Sequence, residues 1–338
     1  MSKRFVRPSR PARAQAGVAI VTALLIVMLA ATLASFLLAQ QSEALTRLER
    51  SNERGQLLLH ANTTLDWARS ALLAQQRNST YVSLNQPWAQ GLVAQPMETA
   101  TGSGVLVDAQ SRFNLNNLVG SDGKRRDADV EVFSRLLTQL QLDPSLADAV
   151  VDWIDADNQV SGTRGAENDY YWSQRKPWRA ANRALVQVDE LARVRGITPE
   201  VLAKLRPYVT ALPLRTSDQA GQGSADQIRT RVNVNTASKE VLSALLPGQS
   251  TNVIEDIIRL REMPYANLAD LKERSKGLPP GLVDQFLDTR SSFFEATLAI
   301  TGQHSQIRQS ALLRLSGSNT GAAAANAGWP SIIWTRDL

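Results

Sequence analysis

The sequence predicts an α+β fold: a long N-terminal helix, a small antiparallel sheet, and a large all-α domain inserted between the strands. Three observations carry this expectation. An apolar run from Val18 continues into a proline-free stretch ending near Arg77. Residues 104–108 read as a short strand, and period-two alternation returns at 292–300, 307–315 and 331–335. Between the early strand and the late ones, residues 117–288 read as a series of short helices.

Composition limits the chemistry. With 338 residues, the chain exceeds the roughly 100–200 residues of one domain. Hydrophobic residues at 43% and charged residues at 20% support a packed core. There is no cysteine, which excludes disulfides, zinc ribbons, thiol nucleophiles and iron–sulfur clusters. His60 and His304 are the only histidines, too few for a multi-histidine metal site, and neither adjoins a nucleophile turn. No catalytic constellation emerges, so an enzyme is not expected. The net charge of +5 sits entirely in the first 17 residues, which hold Lys3, Arg4, Arg7, Arg10 and Arg13 and no acid. The rest of the chain is formally neutral, which weakens an electrostatic case for nucleic acid.

Val18 to Ala39, VAIVTALLIVMLAATLASFLLA, has no charge, proline or glycine. About 20 such residues cross a bilayer as a helix, and the preceding positive charges put the N-terminus in the cytoplasm. The run is longer than a signal-peptide core and has no small-residue cleavage box after it. A plain signal anchor is the competing reading. Residues 40–77 place Leu45, Leu48, Leu59, Leu65 and Leu72 among polar residues, a helical stripe that extends the span. A polar stretch with Pro87 and Pro96 ends it, and Gly104 to Asp108 reads as a strand.

The helical region contains an approximate repeat: Phe113-Asn114-Leu115-Asn116-Asn117-Leu118 returns as Val232-Asn233-Val234-Asn235-Thr236-Ala237. Helices are expected after the first copy at 130–140, 144–154, 189–194 and 199–208, and after the second at 239–246, 252–262 and 267–272. Ser217 to Ser224 reads as a surface linker. The second copy is similar to helix-hairpin-helix modules of DNA-binding and competence proteins, so a membrane-anchored DNA-binding or uptake receptor is the alternative function. Its turn, Pro247 to Thr251, has one glycine and no basic side chain, and the copy is charge-balanced.

The most pointed chemistry lies in the first copy, DWIDAD followed by GAENDYY. Asp148, Asp152 and Asp155 share a face near a helix C-terminus, where the macrodipole is unfavourable for anions. Carboxylates gathered there need a cation. Six to eight oxygen ligands suit calcium, although the spacing is not that of an EF-hand. The alternative is a solvated acidic loop paired with Arg175, Lys176 or Arg179.

The junction Gln15-Ala16-Gly17 before Val18-Ala19-Ile20-Val21-Thr22 resembles the leader of a type IV pilin-like protein, in which prepilin peptidase cuts after the glycine and methylates the new N-terminus. That makes Gly17 and Val18 the processing residues. Thr22 stands where most of that family carry a glutamate, which pairs with the terminal amine of a neighbouring subunit. A subunit with nothing ahead of it needs no such pair. With the large body, this departure resembles the K-type minor pseudopilin of type II secretion, the general secretion pathway protein K family.

The resemblance covers nearly the whole chain and implies a set of further expectations. The regions are a leader at 1–17, a membrane-spanning helix at 18–41 and a spine with the first strand at 42–116. The inserted helical domain follows at 117–288, and the remaining pilin-like strands at 289–338. The sheet packs on the upper half of the N-terminal helix. The protein is a single-pass inner-membrane protein with its bulk in the periplasm, at the tip of the pseudopilus. Its partners are the I- and J-type minor pseudopilins and prepilin peptidase, and it primes pseudopilus assembly. Calcium is held by Asp155, Asp157, Glu167 and Asp169, with Asp152 the less clear ligand because it can face the helix body.

Overall fold

The computed structural model describes residues 14–214, 229–315 and 328–338. Most of the expected leader, the Ser217–Ser224 linker, and much of the loop before the last strand lie outside the described residues.

Helix α1 (Ala14–Asn78) is continuous over 65 residues. Its apolar first part is bare: Val18 to Leu38 presents every large side chain to the surroundings, and no residue of the most apolar window is buried. By length and composition this helix can cross a membrane. From Leu57 the helix acquires a buried face. Leu57, Ala61, Leu65, Ala68 and Leu72 recur at three and four residues and pack under the sheet. The expected stripe is therefore only half right. Leu65 and Leu72 are buried, whereas Leu45, Leu48 and Leu59 are 60%, 66% and 67% exposed. The sheet with its β7–β8 turn reaches down only to the turn of α1 around Glu53, which leaves the first two beneath it. Leu59 is two residues from both Leu57 and Ala61, about half a turn off their face.

The sheet contains β1 (Leu92–Pro96), β2 (Thr101–Asp108) and three late strands, β7 (Phe293–Thr301), β8 (Gln306–Arg314) and β9 (Ser331–Asp337). The order is β1-β2-β7-β8-β9, antiparallel throughout. All four expected strands are present. β1 is an additional strand that the sequence pattern does not mark, since it contains Pro96, a residue tolerated on an edge strand. Phe294, Ala296 and Leu298 alternate inward from β7 and join Leu65, Leu72, Trp88 and Leu313 in one core. The turn between β7 and β8 is fastened to α1 by Glu53, which accepts from the His304 amide at 2.8 Å and the Ser305 hydroxyl at 3.1 Å.

Between β2 and β7 the chain builds a second core from short helices. The first copy of the repeat opens with β3 (Phe113–Asn114), continues through α2 (Asp127–Gln139), α3 (Leu146–Ile154), α4 (Asn168–Trp172) and α5 (Pro199–Leu205), and closes on β4 (Val209–Thr210), which pairs in parallel with β3. The second opens with β5 (Val232–Asn233), continues through α6 (Lys239–Leu245), α7 (Thr251–Leu260), α8 (Leu268–Arg274) and α9 (Pro280–Phe286), and closes on β6 (Leu287–Asp288), parallel to β5. The repeat seen in sequence is thus a structural repeat. Each copy begins and ends on a two-stranded parallel ladder. The five-residue α4 and the proline-led α9 are additional to the expected helices, and where a helix is expected at 189–194 the chain forms a 3₁₀ segment at 188–193.

Asp108 joins the two cores. Its carboxylate is buried and accepts from Ser291 Oγ and Thr236 Oγ1 at 2.6 Å each, Asn233 Nδ2 at 2.9 Å and the Gln110 amide at 2.8 Å. Burial pushes its pKa up, and these four donors oppose that shift.

Candidate metal centre in the Asp155–Glu167 loop

Helix α3 is apolar, and eight of its nine residues are buried. Asp152 lies on this buried surface, and Asp155 is the C-terminal capping position. The chain then leaves the helix, circles through residues 156–166, and returns at Glu167, the residue before α4. Asp152, Asp155 and Glu167 are 0%, 4% and 2% exposed, and each offers a carboxylate oxygen within 4.8 Å of the others.

The loop is shaped to hold them. The Ser161 amide donates to both oxygens of Asp152 at 3.1 Å. A Cβ on Gly165 would overlap the Ser161 carbonyl and the Asp152 carboxylate, so only glycine permits this close approach. Gly162 has φ +56°, and a side chain there would overlap the Asp148 carboxylate. Arg195 Nη1 donates to the Gly165 carbonyl at 3.0 Å. Asn168 fixes the return by donating to Asn158 Oδ1 at 3.0 Å and accepting the Ala180 amide at 3.1 Å. Beneath it, Tyr171 is fully buried edge-on against Trp153, with centroids 5.1 Å apart. Burial pushes the Tyr171 phenol up to about 12.

The electrostatics of the cluster are those of stranded anions. Burial, then the charges of Asp157 and Asp152, push Asp155 up to about 7. Burial, followed by Asp152, Asp155 and Asp157, pushes Glu167 up to about 7 as well. Asp152 is also raised, chiefly by burial, despite its amide donors. Among the described residues no cation pairs with these three. Arg164 is drawn to Asp143 at 2.9 Å, Arg125 to Asp148 at 2.9 Å, and Arg179 lies over the Trp172 ring. Asp155 Oδ1 and both Glu167 oxygens are buried without a hydrogen-bond partner. Three buried oxygens with lone pairs to spare, all from carboxylates, fit a hard divalent cation and not a thiophilic one.

The structure places the five sequence-derived ligands in two groups. Asp152, Asp155 and Glu167 converge. Asp157 and Asp169 are exposed, Asp157 capping its own turn by accepting the Gln159 amide at 2.8 Å and Asp169 standing in the first turn of α4. Asp157 is near enough to raise both Asp155 and Glu167. Asp152 does face the helix body, and it is there that the loop folds back to bring Glu167 to it. The signal for Asp152 was an acid set within the apolar run Ala149-Val150-Val151-Asp152-Trp153-Ile154.

Comparison with known proteins covers both the site and its frame. The family model described as "Type II secretion system (T2SS), protein K" matches residues 111–214, which contain the acidic loop, and a second model of the same description matches residues 232–289. The type II secretion system protein K of Aeromonas hydrophila is 30% identical over 307 residues, covering 85% of this chain and 88% of that one. The chain belongs to the type II secretion system protein K family. Members from Pectobacterium carotovorum and Pseudomonas aeruginosa are 29% and 31% identical, spanning 90% and 72% of this chain and 93% and 72% of theirs. The crystal structure of the GspK-GspI-GspJ complex from enterotoxigenic Escherichia coli superposes with a TM-score of 0.70, covering 86% of this chain and 99% of the matched one. At 23% identity that likeness concerns the fold, over 86% of this chain.

Proposed function

We propose that this protein is a minor pseudopilin of type II secretion that stands at the tip of the periplasmic pseudopilus and primes its assembly. The observation that carries this reading is α1: one continuous helix, bare and apolar in its first part and clamped under a sheet in its second. This is the form of a subunit drawn from a membrane into a helical bundle. In this reading prepilin peptidase cleaves the leader 1–17 after Gly17 and methylates Val18. Residues 18–41 span the inner membrane with the N-terminus cytoplasmic, and the remainder is periplasmic. The spine and first strand (42–116), the inserted helical domain (117–288) and the last strands (289–338) follow.

Thr22 supports the tip position. Its hydroxyl bonds back to the carbonyls of Val18 and Ala19 at 3.0 Å each, so it asks nothing of a subunit ahead. The helical insertion adds bulk that crowds any subunit above it. The partners are the I- and J-type minor pseudopilins, as the composition of the matched Escherichia coli complex suggests.

In the same reading the acidic loop holds calcium as a structural ion. Asp152, Asp155 and Glu167 would supply the inner oxygens, Asp157 and Asp169 the exposed rim, and a bound ion would neutralise charges that otherwise oppose folding of the loop. The DNA-receptor alternative is not favoured by the second copy. Lys239 pairs with Glu255, Arg259 with Asp256, Lys272 with Asp284 and Arg274 with Asp270, so its cations are largely neutralised in place.

Co-expression of the full chain with the I- and J-type subunits of its own system, followed by affinity purification in detergent, tests the assignment. A stoichiometric ternary complex is expected. Recovery of this chain alone, when I- and J-type subunits still associate with each other, contradicts it.

A further inference from the structure

We propose that the cleft between the outer face of the sheet and the helical insertion binds a carboxylate carried on a small apolar group, as a peptide segment presents it. Val107, Glu295, Leu312 and Trp334 lie in register across β2, β7, β8 and β9, on the face turned away from α1. The segments 186–189 and 206–212 close over this row and leave a cleft of about 370 Å³. That volume suits a small ligand.

Charge and hydrogen bonding define what fits. Three guanidinium groups, Arg112, Arg206 and Arg336, line the cleft with two carboxylates, Asp189 and Glu295. Arg336 donates to Asp189 at 2.6 Å, Arg206 takes the other oxygen of Asp189, and Arg112 pairs with Glu295 at 3.2 Å. One positive charge is left over. Two donors, Trp334 Nε1 and Arg336 Nε, are shielded from solvent and have no acceptor, against a single acceptor, Asp189 Oδ1, which has its ion-pair contact with Arg206 but no hydrogen-bond donor. A surplus of donors and one excess positive charge call for acceptor oxygens carrying a single negative charge. The apolar wall of Val107, Val188 and Leu312 calls for an apolar body beside them. A phosphate dianion carries too much charge for such a wall, whereas a carboxylate matches the guanidinium fork. Because the sheet and the insertion each form one side, occupancy would tie the two together.

The full-length chain in detergent micelles, labelled with ¹⁵N-tryptophan, tests this directly. Of its seven indoles, the Trp334 signal is the one missing in Trp334→Phe. Titration with N-acetyl-leucine or with N-acetylglutamic acid α-amide should shift that signal saturably, the tighter of the two showing whether a chain end or an acidic side chain is the source. Arg336→Lys keeps the charge beside Asp189 but loses Nε, and should weaken binding about tenfold or more. Trp334→Phe, followed by calorimetry, should lose a similar factor. No shift with either carboxylate, an equal response to N-acetyl-leucinamide, or undiminished affinity in both variants overturns the proposal.

Discussion

Asn235 exchanges two hydrogen bonds with the backbone of Tyr265, donating Nδ2 to its carbonyl at 3.0 Å and accepting its amide at 2.9 Å. Asn116 does the same with Leu185, at 2.9 Å and 2.8 Å. The paired residues are 30 apart in the second copy and 69 apart in the first. The second copy passes from α7 to Tyr265 through a short turn, whereas the first leaves α3 at Asp155 and returns to Leu185 only after the acidic loop and α4. The acidic loop is therefore an excursion inserted where its sister copy simply turns.

Each asparagine satisfies two backbone groups of its partner residue, and Asn116 also donates to the Leu212 carbonyl at 2.9 Å. Asn235→Ala and Asn116→Ala should each destabilise the protein by about 2–6 kcal/mol, since stranded groups cost roughly 1–3 kcal/mol apiece and each change strands at least two. Chemical denaturation of the single variants measures this. A loss below about 0.5 kcal/mol would mean that water replaces the amide at no cost.

Calcium should raise the melting temperature of the protein in proportion to the logarithm of its concentration. At a hundredfold excess over Kd the shift should be on the order of 5 °C. Asp155→Asn with Glu167→Gln should abolish the response. A melt unchanged between calcium and chelator would leave the acidic loop without an ion.

The metal-free protein should lose stability as pH rises. Unfolded Asp and Glu titrate near about 4, whereas Asp155 and Glu167 are pushed up to about 7 in the fold. Between these values the native state holds more protons than the unfolded one, so stability falls with pH, and the penalty is complete above pH about 8. Chelator-treated protein should melt higher at pH 5.5 than at pH 8, and Asp155→Asn with Glu167→Gln should flatten that slope. Parallel pH profiles for parent and variant would contradict the assignment.

Gly165→Ala places a methyl group against Ser161 and Asp152. The loop must open to accept it, so calcium affinity should fall about tenfold or more, with calorimetric titration as the readout. Unaltered affinity would show that Asp152 and the loop backbone lie outside the site.

Patterning revealed much of this fold because much of it is local. The bare span follows from the composition of Val18 to Ala39, and the late strands from alternation around Phe294, Ala296 and Leu298. The Asn-X-Asn repeat was visible, although the partners of Asn116 and Asn235 were not, since no local pattern marks a residue 69 positions away. Which spine leucines are buried depends on how far down the sheet extends, a tertiary fact that misplaced Leu45 and Leu48, and on which face of α1 it covers, which leaves Leu59 exposed. In the acidic loop, sequence shows where carboxylates are dense. Only the path of the backbone past Ser161 and Gly165 separates Asp152, Asp155 and Glu167 from Asp157 and Asp169.

The pseudopilin assignment is tested most directly by the intact mass and N-terminal sequence of the protein extracted from membranes, with and without co-expressed prepilin peptidase. With the peptidase, the chain should begin at N-methylated Val18, and without it at Met1. A chain that keeps Met1 in the presence of active peptidase would make α1 an ordinary signal anchor and contradict the account.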